Sequence, residues 1–131
     1  MTIILKFFWP AIAWALFIFI MCTIKIDNIS HSPLFFPGFD KLVHCVFFFV
    51  QVVLFGYGLI RLFHIPFLGF SSILIVTAIA IAYGSIIEIL QHYLFTWRSG
   101  EWDDLFADAV GALMGAFSIL TIFKALSYVK K

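Results

Sequence analysis

The chain has 131 residues, of which 64% are hydrophobic, 20% aromatic and only 11% charged, with a formal net charge of +1. Soluble domains average about 45–50% apolar and about 25% charged residues, so this single domain belongs in a bilayer rather than in water. No basic cluster is present, and nucleic acid is not an expected partner.

The first apolar run covers residues 7–24, close to the roughly 20 residues a helix needs to cross about 30 Å of hydrocarbon. It is longer than a signal-peptide core and lacks a small-x-small cleavage pattern, so it reads as a retained helix. Pro10 falls near its start, where a missing N–H costs little. Cys22 and Cys45 share no CxxC spacing and read as two buried free thiols. The connection "KIDNISHSPLFFPGF" is too polar at its start, and too rich in Pro and Gly, to be helical throughout. Its Leu34, Phe35, Phe36 and Phe39 suit a loop lying on the membrane; a lid is the sharper alternative.

The second run, 42–60, follows "DKLVH", in which Asp40 and His44 are four residues apart and share a helix face. Asp40 complements the helix dipole. On the plainer reading Asp40 is a cap, Lys41 a snorkelling anchor and His44 an interfacial residue. The third run, 67–94, ends in "EILQH", which puts Glu88 on one face with Gln91 and His92. A tight connection, "TWRSGEWDD", then sets Arg98 between Trp97 and Trp102, two residues of the interfacial aromatic belt. Gly100 serves the turn. Arg98 carries a forked guanidinium suited to carboxylate or phosphate.

The fourth run covers 105–123. Glu101, Asp104, Asp108, Gly111 and Gly115 follow one another at steps of three, four, three and four, which makes one stripe, acidic outside and small inside. Gly111 and Gly115 form G-x-x-x-G, a packing motif that lets another helix come close. The stripe therefore faces the bundle, while Asp103 lies off it in solvent. Four runs without two-residue alternation predict an all-α, four-helix membrane bundle and not a β-barrel.

Four crossings place the N-terminus and the second and final connections on one side, with Lys6, Arg61, Lys124, Lys130 and Lys131. Lys25, Lys41 and Arg98 fall on the other side. This excess predicts both termini in the cytoplasm of a bacterial inner membrane. All seven acids, Asp27, Asp40, Glu88, Glu101, Asp103, Asp104 and Asp108, lie on the opposite, outer side. Helical rise puts Glu88 roughly 32 Å from Phe67, at the outer edge of the hydrocarbon. Charges at such depth are rare unless paired or functional. Oxygen and imidazole ligands are plentiful, but no HExxH or cysteine–histidine framework is present. No metal and no other cofactor is expected, and no nucleophile with a paired base is evident.

"DKLVH", then Glu88-x-x-Gln91, then Arg98-x-x-Glu101-x-x-Asp104-x-x-x-Asp108-x-x-Gly111, resembles the VanZ-like family of small bacterial membrane proteins. The resemblance spans roughly residues 40–115; the first helix fits by hydrophobicity alone. It implies an association with resistance to teicoplanin-type lipoglycopeptides, and it carries functional roles onto Asp40, Lys41, His44, Glu88, Gln91, Arg98, Glu101 and Asp104. The family usually has asparagine at the position of Asp108, so hydrogen bonding is the economical role there.

These features lead to an outward-facing polar site. Arg98 and Lys41 would bind an anionic group of a lipid-linked envelope component or amphiphilic antibiotic. Glu88, Gln91, Asp104 and Asp108 would orient those cations and meet amides or hydroxyls. An alternative makes the protein a hydrolase or transferase, with Glu88 as general base and His44 or His92 as its partner. A third makes the cluster a device for helix register. Membrane lipids and a second copy of the chain complete the expected partners.

Overall fold

The structure, a computed structural model, describes residues 2–24, 36–95 and 100–129. These residues form four α-helices: α1 (Thr2–Thr23), α2 (Phe39–Phe63), α3 (Phe70–Leu94) and α4 (Trp102–Val129). No strand occurs among them. Each helix is long and apolar enough to cross a membrane, as the run lengths predict. Lys25, Asp27, Leu34, Phe35, Trp97 and Arg98 lie outside the described residues.

The helix ends differ from the apolar runs for physical reasons. Hydropathy marks the stretch that suits hydrocarbon, whereas backbone bonding continues through polar residues at the surface. α4 accordingly starts at Trp102 and takes in Asp103 and Asp104, two acids that complement the positive end of its dipole. α1 begins at Thr2, so Pro10 lies inside the helix and not in its first turn. The Lys6 carbonyl there loses its usual i+4 donor. α3 begins three residues later than its apolar run, since Pro66 and Gly69 hold the chain in the preceding turn. Gly38 precedes α2 with φ of +88°, a conformation that glycine adopts without a Cβ penalty.

α2 and α4 run parallel and make the closest approach in the bundle. A Cβ on Gly111 would collide with the Cys45 carbonyl, and one on Gly115 would stand 2.8 Å from the Phe49 carbonyl. The G-x-x-x-G stripe therefore packs within the chain, against α2. α3 crosses both helices in the opposite sense. Gly84 admits Asp108 and Phe48, whose nearest atoms would lie 2.6 and 3.1 Å from a Cβ at that position. Ile18, Phe48, Val52, Ile73, Ile87 and Ala112 fill the interior, each at most 2% exposed. Lipid tails are as apolar as these side chains, so close packing and hydrogen bonds hold the helices together.

α1 is tied on from outside by polar side chains reaching its backbone carbonyls. Tyr83 donates to the Ala15 carbonyl at 2.6 Å, Gln91 to that of Cys22 at 2.7 Å and Gln51 to that of Ala11 at 3.4 Å. In return Trp14 Nε1 donates to the Phe47 carbonyl at 2.9 Å.

Candidate functional site

The parallel course of α2 and α4 brings their first turns side by side, and the end of α3 meets them there. Two polar layers result. In the outer layer the Lys41 ammonium is held by Asp40 and Glu101, both at 3.3 Å, and by Asp104 at 3.2 Å. Asp40 and Glu101 are half-exposed, but the Asp104 side chain is only 4% exposed. Lys41 thus serves as the counter-ion of a carboxylate trio. Asp40 turns toward this layer, although it shares a face with His44.

One turn deeper, His44 Nδ1 lies 2.8 Å from Asp108 Oδ1, with both residues buried. His44 Nε2 faces Asp104 Oδ2 at 4.0 Å, which links the two layers. The Cys22 thiol lies beside the same imidazole. Glu88 completes the inner layer from α3. Its Oε2 accepts the backbone N–H of Glu101 at 2.9 Å, while its buried Oε1 has no hydrogen-bond partner among the described residues. Since Glu101 accepts the N–H groups of Asp104 and Leu105, Glu88 anchors the residue that caps α4. Gly100 makes this contact tight: a Cβ there would strike the Glu88 carbonyl. With α3 starting at Phe70, Glu88 stands about 27 Å along the helix axis, a little inside the edge of the hydrocarbon.

Beside these layers a groove of about 480 Å³ opens between α3 and α4. Ser85, Ile89 and Tyr93 line one wall, and Trp102 and Leu105 the other. Glu88, His92, Gly100 and Glu101 supply its polar end. His92 is exposed and stacks edge-on with Tyr93 at 4.9 Å. The groove offers carboxylate acceptors at one end and an apolar slot along the rest. Such a pair of surfaces suits a molecule with a donor-rich head and a hydrocarbon tail.

Most of the sequence-derived site residues do converge. Asp40, Lys41, Glu101 and Asp104 meet in the outer layer, His44, Glu88 and Asp108 in the inner one, and Glu88, His92 and Glu101 at the groove. Gln91 is fully buried and faces α1, tying two helices together instead of lining the groove. Asp103 is exposed, as its position off the stripe implies. Sequence reasoning missed Gly84, Cys22 and the walls Ser85, Ile89 and Leu105. The spacing of 85, 89 and 93 on one helical face was the available signal for one wall. Compared with known protein families, curated proteins and solved structures, the chain matches none.

Proposed function

We propose that this is a bacterial inner-membrane protein that holds the headgroup of an envelope amphiphile in the α3–α4 groove, on the outer side of the membrane. The observation that carries the reading is the groove itself, acidic at the surface end and apolar below. Carboxylates only accept hydrogen bonds when ionised. Sugar hydroxyls and peptide amides donate them, which favours a lipid-linked envelope precursor or a teicoplanin-type lipoglycopeptide. The resemblance to VanZ-like proteins points to the same chemistry. Arg98, two residues before Gly100, is the cation assigned to the ligand's anionic group. Lys41, engaged by three carboxylates, holds Glu101 in place. Both termini face the cytoplasm, in keeping with the Lys and Arg bias.

Mass spectrometry of envelope lipids incubated with the reconstituted protein tests this reading. Wild type should retain an amphiphile that Leu105→Trp, which fills the groove, retains about tenfold less. Equal retention by both would overturn it. A new product formed only by wild type, and not by Glu88→Gln, would replace binding by catalysis with Glu88 as base.

A further inference from the structure

We propose that His44, Glu88 and Asp108 form a site for one divalent transition-metal ion, zinc or another ion that favours mixed nitrogen and oxygen ligands. The three residues come from three helices, α2, α3 and α4, and are 2%, 7% and 1% exposed. A ligand atom of each lies within 4.8 Å of the others, with the His44–Asp108 pair at 2.8 Å. Tetrahedral zinc with bonds of about 2.1 Å sets its ligand atoms about 3.4 Å apart. All the separations fall within about 1.4 Å of that value, so small side-chain adjustments close the site.

The second observation is the orphaned oxygen of Glu88. Its Oε1 is buried with no partner among the described residues, and an unsatisfied buried carboxylate oxygen is costly. The local charges leave it uncompensated. Among the described residues, the cationic groups beside Glu88, Asp104 and Asp108 are the His44 imidazole and the Lys41 ammonium, which already holds Asp40 and Glu101 as well. A divalent ion would satisfy that oxygen and balance the two ligating carboxylates.

The surroundings match what ligands of a metal require. The Oε2 of Glu88 is fixed by the Glu101 N–H. If the metal takes Nδ1 of His44, the other ring nitrogen faces Asp104 at 4.0 Å. Carboxylates in that position orient metal-bound imidazoles in general. One imidazole with two carboxylates selects zinc, manganese or iron over magnesium and calcium, which prefer oxygen alone. Glu88 also borders the groove, but the metal site does not require that the groove be occupied.

The full-length protein in detergent, stripped with EDTA and desalted, would be titrated with Zn²⁺ alone and its bound metal counted by elemental analysis after gel filtration. Wild type should hold one ion per chain. Glu88→Gln keeps an acceptor for the Glu101 N–H, so it preserves the fold while weakening zinc binding at least about tenfold. His44→Ala should do the same, and the double variant Asp40→Asn, Glu101→Gln, confined to the outer layer, should keep one ion. Leu105→Trp should bind zinc normally, which separates this site from the groove. Absence of stoichiometric zinc in wild type, or undiminished binding by Glu88→Gln, would overturn the proposal.

Discussion

Lys41 shows how one side chain organises the outer end of the bundle. Its partner Asp104 is buried, so removing the ammonium strands a carboxylate, whereas the half-exposed Asp40 and Glu101 can turn to water. Lys41→Met should therefore lower unfolding stability by about 1–3 kcal/mol, between the values for exposed and buried pairs. Lys41→Arg, which keeps the charge, should recover most of the loss. Reversible unfolding in mixed micelles would measure both, and equal stability of Lys41→Met and wild type would refute the role. The presence of an acidic cluster with Lys41 was legible from spacing alone. The role of Glu88 was not, because its partner is the Glu101 backbone N–H, thirteen residues further along the chain. Backbone partners leave no side-chain pattern to read. The packing contact of Gln91 was hidden for the same reason, since its acceptor is the Cys22 carbonyl.

At the scale of the helix, glycines separate close approach from simple punctuation. Gly111 presses on the backbone of α2, and a backbone carbonyl cannot rotate away as a side chain can. Gly111→Ala should cost about 1–3 kcal/mol, the range for overpacked interiors, and should push α2 and α4 apart. Gly69→Ala meets nothing within 4 Å and should cost less than about 1 kcal/mol, the preference for glycine over alanine at the N-cap of α3. Comparing the two in the same unfolding assay checks the assignment; similar small losses would contradict it. The stripe from Glu101 to Gly115 was readable because its steps of three and four follow the helical repeat. Gly84 stands alone, without a partner at i+4, and only the contact with Asp108 gives it meaning. The ends of α1 and α4 escaped hydropathy because helical bonding outlasts the apolar span, through Lys6 at one end and Lys124 at the other.

Across the molecule, the acids of the described residues are confined to one end of an otherwise largely apolar bundle. Asp40, Glu88, Glu101, Asp103, Asp104 and Asp108 gather there, while Lys6, Arg61 and Lys124 mark the opposite end. The number of helices long enough to cross, and the gathering of the described acids at one end of the bundle, followed from run lengths. Which helices touch did not follow, since four apolar runs can be arranged in several ways, and so the groove between α3 and α4 could not be foreseen. That groove carries the central claim. The most direct test is photo-crosslinking with a lipid-linked disaccharide-peptide precursor bearing a diazirine at the head of its acyl chain. Adducts should concentrate on Ile89, Tyr93, Trp102 and Leu105, at least about tenfold above the lipid-facing Leu16 and Ile20 of α1. Labelling spread evenly over both faces would contradict a headgroup site in the groove.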